Sequence, residues 1–167
     1  MKKLILIFVI TFFTNFKLMA MENKIIIKLE HGDVEIELFT ENAPNHVERI
    51  LTLSKSKEYD GVVFHRVIDG FMAQTGDVEF GNTNKKSFNL ERAGTGSSSL
   101  PDLKSEFNNI PHERGTVSMA RSSNPNSGNS QFFICLEAAP HLDRQYSVFG
   151  KVVKGMEFVD KIKKGDG

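Results

Sequence analysis

The chain has 167 residues, with 21 Lys and Arg against 21 Asp and Glu, and one Cys. This length predicts a single globular domain, and 40% hydrophobic with 25% charged residues exclude disordered and collagen-like chains. The zero formal charge argues against nucleic-acid binding, and one Cys provides neither an intramolecular disulfide nor a Cys-rich zinc site.

The first twenty residues differ from the rest of the chain. They hold three lysines and no acidic residue, so residues 21–167 carry 18 basic against 21 acidic side chains. Lys2 and Lys3 precede an apolar run from Leu4 to Phe13, the arrangement of a secretory signal, and that run is shorter than the ~20 residues that span a bilayer. We therefore expect a signal peptide over residues 1–20 and a periplasmic or secreted domain without a membrane span. The alternative is that translation begins at Met21 and the protein is cytoplasmic.

The following segments predict a β-hairpin and then a helix. Residues 24–29 are mostly apolar, and residues 30–33 are typical of a turn. Residues 34–38 alternate between apolar and acidic side chains, which predicts a half-buried strand. Pro44 and several capping residues predict that a helix begins within residues 40–45. Its inward face is expected to carry, at i, i+3, i+4 spacing, Val47, Ile50, Leu51 and Ser54.

The remainder of the chain predicts a β-barrel. Residues 78–113 are polar and rich in Gly, Ser and Asn, so a long, functional loop is expected there. Many short strands and two helices favour a closed or nearly closed barrel with helices over its ends. The strands are expected at residues 62–67, 72–75, 116–120, 131–136 and 147–153, and the second helix at residues 156–163.

Two segments place polar residues beside aromatic ones. In residues 64–77 (FHRVIDGFMAQTGD), Arg66, Met72 and Gln74 can share one face of a strand–turn–strand unit. In the second segment, Ser-Met-Ala-Arg at 118–121 is followed by Asn-Ser-Gln-Phe-Phe-Ile at 129–134. Two interpretations fit this pattern. The side chains form a ligand-binding surface, or the aromatic rings belong to the core and Arg66 forms a structural ion pair.

Other residues of reactive type give no comparable signal. The five histidines are scattered and none pairs at metal-ligand spacing, so neither a metal nor another cofactor is predicted. Cys135 lies within an apolar run and is expected to be a buried, unreactive thiol.

Four specific segments follow one another along the chain. They are F-H-R-V-I-x-G-F-M-x-Q-x-G-D (64–77), G-T-V-S-M-A (115–120), S-Q-F-F-I (130–134) and L-D-x-x-Y-S-V-F-G (142–150). In order and spacing they closely resemble the cyclophilin-type peptidyl-prolyl cis-trans isomerases, and the long loop is similar to a bacterial branch of that family. The resemblance implies a mainly β fold, a closed antiparallel eight-stranded barrel capped by two helices. Relatives continue to a further strand that pairs near the N-terminal one, so the last strand is expected to be incomplete or missing here, as in a C-terminally truncated chain.

The resemblance also implies a role for each matching residue. Arg66 matches the catalytic arginine of the family, and Gln74 matches a glutamine that contacts the substrate backbone. His141 stands where several relatives have a Trp that is important for binding cyclosporin, so weak inhibition by cyclosporin is expected. The proline pocket is implied to be lined by Phe71, Met72, Phe133 and Leu142, and the substrate groove by Ala120, Arg121, Gln131 and Tyr146.

The activity implied by the resemblance is rotation about Xaa-Pro peptide bonds, which assists protein folding and needs no cofactor. The expected partners are proline-containing polypeptides and folding client proteins, with no nucleic acid and no membrane span in the mature chain, and the chain is expected to be a monomer. The alternative is a proline-binding module with little or no turnover. Arg66 favours the enzyme, because binding a proline does not require an arginine. An unrelated enzyme or structural barrel is disfavoured by the four ordered motifs.

Overall fold

A computed structural model describes residues 23–166, and the predicted signal segment lies outside the described residues. Within them, two strands form an N-terminal hairpin, a helix follows, and the remaining strands precede and follow a long loop. The elements are β1 (Lys24–Leu29), β2 (Gly32–Leu38), α1 (Pro44–Lys55), β3 (Arg66–Ile68), β4 (Met72–Thr75), β5 (Thr116–Met119), β6 (Phe132–Cys135), a 3-10 helix (Pro140–Leu142), β7 (Val148–Lys154), α2 (Met156–Val159) and β8 (Gly165–Asp166).

The strands form one antiparallel sheet in the order β1-β2-β7-β5-β6-β4-β3-β8. The predicted mainly β fold with eight antiparallel strands and two helices is confirmed. Among the described residues, β1 and β8 each pair with a single neighbour, and β8 contributes two residues. Within the described residues the sheet is therefore open between β1 and β8, as expected for the eight-stranded barrel with an incomplete last strand.

The core lies inside the curled sheet, beneath α1. The alternation predicted for β2 is confirmed, because Val34, Ile36 and Leu38 are buried while the glutamates between them are partly exposed. Along α1, Val47 and Ile50 are buried as predicted, and Leu53 completes the buried face. Residues 51 and 54, which were expected on that face, lie at its edge and are only partly buried.

Two elements differ most from their predicted bounds, and in both cases hydrogen bonding explains the difference. The segment expected to begin β3 at residue 62 bonds to the long loop instead, where Val63 N–H donates to the Gly81 carbonyl at 2.9 Å. Strand β3 therefore begins at Arg66. After α2, the N–H groups of Lys161 and Ile162 donate to carbonyls three residues back, which ends the α-helix at Val159.

The long loop after β4 is organised around one buried carboxylate. Asp77 is fully buried and accepts the backbone N–H groups of Glu79, Phe80, Gly94 and Gly96 at 3.0, 2.9, 2.7 and 2.9 Å. Burial raises the pKa of a carboxyl group, but these four donors outweigh burial and hold the pKa of Asp77 below its ordinary value. A Cβ atom at Gly96 would lie 2.4 Å from Asp77 Oδ1, so only glycine allows this approach.

The open side of the sheet leaves a groove of about 1050 Å³ along β1. Its lining includes Ile25, Ile27, Tyr59 and Phe132, and none of the ten predicted site residues borders it.

The described part of the chain contains no helix that is both long and apolar enough to cross a membrane.

Candidate active site

A row of side chains crosses four neighbouring strands on one face of the sheet. Arg66 of β3 pairs with Gln74 of β4, Gln74 pairs with Phe133 of β6, and Phe133 pairs with Ser118 of β5. Residues directly opposite one another in antiparallel strands point to the same face. The pairing therefore brings Arg66, Gln74 and Phe133, which the sequence places in two separate motifs, into one line.

A second row lies two residues further along the same strands. It contains Ile68, Met72 and Cys135, which are paired across β3, β4 and β6. The alternate positions point to the opposite face and join the core of the barrel: Val67, Ala73, Ile134 and Val117. The two faces of these strands thus serve different purposes, one packing the barrel and the other building the site.

An apolar cluster separate from the main core surrounds Phe133. Its buried members are Met72, Phe133, Cys135, Ala139 and Leu142, and four partly buried residues pack against them: Ile68, Phe71, Ala120 and Tyr146. The cluster contains all four residues expected to line the proline pocket and two of those expected along the substrate groove. We refer to this group of residues as the apolar cluster.

The rim of the apolar cluster is built from the turn after β3 and from the 3-10 helix. Phe71 follows a turn in which Gly70 has a positive φ of 67°. The Phe71 carbonyl accepts a hydrogen bond from the Leu136 N–H at 2.8 Å. The Phe71 ring lies 5.5 Å from the ring of exposed His141, measured between centroids. Leu142 ends the 3-10 helix and is buried among the cluster.

A polar side of the site is formed by two glutamines and the long loop. Gln74 Nε2 donates to Gln131 Oε1 at 3.0 Å, and Gln131 Nε2 donates to the carbonyls of Gly94 and Gly96 at 3.0 and 2.7 Å. A cavity of about 430 Å³ adjoins these groups, bordered by both glutamines, residues 94–97 and Arg121. Gln131 therefore joins the row on the sheet to the loop that Asp77 organises.

Arg121 lies against the segment that follows the 3-10 helix. Its Nε and Nη2 donate to the Gln145 carbonyl at 3.1 and 3.0 Å, and its guanidinium stacks 4.5 Å above the Tyr146 ring. Tyr146 in turn meets Phe133 edge-on, with ring centroids 5.6 Å apart. The structure thus brings all ten predicted site residues into one connected set: Arg66, Phe71, Met72, Gln74, Ala120, Arg121, Gln131, Phe133, Leu142 and Tyr146.

Sequence analysis did not identify the buried residues that lie behind the ten predicted site residues. His112 is buried beneath Phe133 and is hydrogen-bonded to Asp143 and Ser118. No motif marks this histidine, since its partners lie 31 and 6 residues away in sequence. Ser118 and Asp143 do belong to quoted motifs, and these two polar residues were the available signal.

Cys135 is a packing residue of the site. It is fully buried, and burial raises the pKa of its thiol to about 12, so the predicted buried, unreactive thiol is confirmed. Among residues 23–166, no group of three or more His, Cys, Asp or Glu side chains is arranged to hold a metal ion. The chemistry that these residues offer is a guanidinium and two amides beside an apolar pocket.

Comparisons with known proteins agree with this geometry. Residues 24–167 match the sequence model of the cyclophilin type peptidyl-prolyl cis-trans isomerase/CLD family. The chain is 59% identical over 144 residues to a probable peptidyl-prolyl cis-trans isomerase of Brucella suis, covering 86% of this chain and 73% of the relative. It is 43% identical over 136 residues to peptidyl-prolyl cis-trans isomerase-like 3 of Gallus gallus, covering 80% of this chain and 77% of the relative.

Solved structures give the same result. A Cryptosporidium parvum cyclophilin-type isomerase, crystallised in the presence of the dipeptide Ala-Pro, superimposes with a TM-score of 0.71 at 31% identity and covers 83% of this chain and 84% of its own. A cyclophilin from Hirschia baltica superimposes with a TM-score of 0.71 at 28% identity, over 86% of this chain and 68% of its own. The chain therefore belongs to the cyclophilin-type peptidyl-prolyl cis-trans isomerases, enzymes that rotate Xaa-Pro peptide bonds.

Proposed function

We propose that Arg66 is the catalytic residue of this isomerase and that the apolar cluster binds the proline ring of the substrate. The observation that carries this proposal is the row in which Arg66, Gln74 and Phe133 share one face of the sheet. The row places a cation beside an apolar surface, and an apolar surface is what a proline ring requires.

The reaction needs electrostatic help rather than proton transfer. Rotation about a peptide bond faces a barrier of about 18–20 kcal/mol because C–N resonance is lost at the transition state. At that point the prolyl nitrogen becomes pyramidal and carries a localised lone pair. A guanidinium N–H donor from Arg66 aimed at this nitrogen stabilises the twisted state more than either planar isomer, which is the condition for catalysis.

The other residues hold the substrate while one side of the bond turns. Met72, Phe133 and Leu142 form a water-poor surface, which strengthens a hydrogen bond from Arg66 to the reacting nitrogen. Gln74 is held by its hydrogen bond to Gln131 and supplies an amide that binds the peptide backbone on one side of the proline. The side chain of Arg121 is turned toward Gln145, so this position contributes its backbone to the groove.

The test is cis-to-trans isomerisation of a short Ala-Pro peptide by the purified chain and its R66A and R66K variants. Both are expected to lower kcat/KM by roughly 100-fold, the effect of removing one positioned donor, because lysine lacks the guanidinium fork. Arg114→Ala is the matched control, since Arg114 pairs with Asp160 on the surface. Near-normal turnover by R66A, with circular dichroism showing a folded protein, refutes the role of Arg66. Peptide binding without turnover by the wild type identifies a proline-binding module.

The substrates proposed for this site are proline-containing segments of other polypeptides, so that the chain, acting as a monomer, assists the folding of client proteins. The solved relative crystallised in the presence of Ala-Pro supports proline recognition. The proposed location is the periplasm or the exterior, reached through residues 1–20. Fusions to a reporter active only outside the cytoplasm test this: activity that disappears on deleting residues 1–20 is expected, and an inactive full-length fusion supports a start at Met21.

A further inference from the structure

We propose that His112 is a positioning residue that keeps the proline pocket in its binding shape, and that protonation of its ring weakens substrate binding. The inference rests on the proposed role of the apolar cluster. His112 immediately precedes the turn into β5, is 1% exposed, and contacts three of the segments that build the pocket.

The first contact fixes the 3-10 helix that carries Leu142. At the start of this helix, Ala139 N–H donates to the His112 carbonyl at 2.7 Å. At its end, the Asp143 carboxylate accepts both the His112 backbone N–H at 2.8 Å and a bond from the His112 ring nitrogen Nδ1 at 3.0 Å. One residue therefore holds both ends of the helix that places Leu142 in the pocket.

The second contact is made by the imidazole ring. It lies nearly parallel to the Phe133 ring, with 18° between the planes and 6.1 Å between the centroids. It also meets the Tyr146 ring edge-on at 6.4 Å. Since Phe133 and Tyr146 contact each other as well, the three rings support one another, and His112 is the fully buried member behind the pocket.

The hydrogen bonds specify one protonation state of the ring. Nδ1 faces a carboxylate and therefore carries the proton, which leaves Nε2 to accept from the Ser118 hydroxyl at 3.2 Å. Protonation turns Nε2 into a donor, so the Ser118 hydroxyl, which is fully buried, must rotate and lose its acceptor. Ser118 pairs directly with Phe133 across the sheet, so this rearrangement occurs beneath the pocket floor.

The titratable groups facing His112 are Asp143, His141 and Tyr146, with the neutral Cys135 thiol in the same cluster. Burial, opposed by the bond to Asp143, holds the pKa of His112 below its ordinary value of 6.5. The ring is therefore mostly neutral at pH 7 and gains its proton only below pH 6.5. His65, beside Arg66, is a competing titrating group, and burial lowers its pKa too.

The experiment compares two substitutions of His112 over pH 5.5–8. H112Q keeps a donor and an acceptor but cannot be protonated, and H112F keeps an aromatic ring but loses both hydrogen bonds. For the wild type, KM is expected to rise as the pH falls while kcat changes little. H112Q should keep a KM near the wild-type value across the range. H112F should show a KM raised about five- to ten-fold at every pH, the effect expected for lost buried hydrogen bonds.

His46→Gln is the matched control, because His46 is also buried and hydrogen-bonded to a carboxylate, Glu106. This variant should retain the wild-type rise in KM. If H112Q keeps the acid-dependent rise, His65 or another group is responsible and the proposal is overturned. If H112F fails to fold, H112Q still decides the question.

A readout independent of turnover separates this proposal from the proposed function. In an NMR titration of the wild-type chain, the ring signals of Phe133 should shift with the same midpoint as those of the His112 imidazole. Phe133 signals that do not follow His112 overturn the proposal. Absence of turnover at every pH, with coupled ring signals, overturns the proposed function while the positioning of Phe133 by His112 stands.

Discussion

The carboxamide of Gln131 accepts a hydrogen bond from Gln74 at 3.0 Å and donates one to the Gly96 carbonyl at 2.7 Å. A single side chain thus connects the row of Arg66, Gln74 and Phe133 on the sheet with the loop that lies beside it. Because an amide has one donor end and one acceptor end, these bonds also determine which way the Gln131 amide points.

Replacing Gln131 by alanine removes this connection. We expect kcat/KM to fall about ten-fold, mainly through a higher KM, because Gln74 and the Gly94–Gly96 segment each lose a hydrogen-bond partner worth about 1 kcal/mol. Steady-state kinetics on an Ala-Pro peptide measures the effect. Gln145→Ala, which removes an exposed amide bonded to the His141 carbonyl, is the control. Equal kinetics for the two variants would contradict the assignment.

Asp77→Asn is expected to destabilise the long loop. The carboxylate accepts four backbone N–H groups, and an amide would place a donor against two of them. We expect a loss of about 2–3 kcal/mol in the free energy of unfolding, as for other buried charge-assisted hydrogen bonds. Denaturant titration measures it, with the exposed Asp60→Asn as the control. An unchanged midpoint would show that the loop is held by other contacts.

The stability of the protein should fall as the pH drops below 6.5. Burial lowers the pKa values of His46, His65 and His112 in the folded protein below the ordinary value of 6.5. Between the lowered pKa of each histidine in the folded protein and the ordinary pKa of 6.5, the unfolded chain binds more protons than the folded protein. Acid therefore favours unfolding, by roughly 1.4 kcal/mol per unit of pKa difference for each histidine.

Urea titrations at pH 8, 7, 6 and 5 test this expectation. His46→Gln should reduce the slope of the unfolding free energy against pH. Below about pH 4.5 a second loss should appear, because Asp77, Glu106 and Asp143 have pKa values held below their ordinary ones. A stability that is constant from pH 8 to pH 5 would contradict the burial of neutral histidines.

Inhibition by cyclosporin should be weak. His141 is exposed at the rim of the apolar cluster, at the position that the family resemblance assigns to a tryptophan in several relatives, and its ring packs on Phe71. The imidazole ring of His141 offers less apolar area than the indole ring of a tryptophan, and it lacks the indole N–H donor. Titrating cyclosporin against turnover measures the inhibition, and H141W should strengthen it. Tight inhibition of the wild type, or no gain in H141W, would disprove this expectation.

Much of the fold could be predicted because it depends on local patterns. The alternation in β2 correctly indicated which side chains face the core, and the 3.6-residue spacing in α1 identified Val47 and Ile50 but not Leu53. Errors arose where a segment found partners outside its own element. Val63 bonds to Gly81 rather than continuing a strand, and no periodicity in residues 62–67 reveals that choice. Closure of the barrel likewise depends on pairing between strands that are distant in sequence.

By itself, the sequence determined the family and the mainly β architecture and singled out ten candidate site residues, because ordered motifs and short-range patterns are present in the chain itself. Tertiary structure alone decided how these residues combine: the register that aligns Arg66 with Gln74 and Phe133, and the bonds that hold Gln131. It also decided the burial of His112 between Asp143 and Ser118. The physical reason is that contacts between residues far apart in sequence are set by strand pairing and packing, which short-range patterns do not encode.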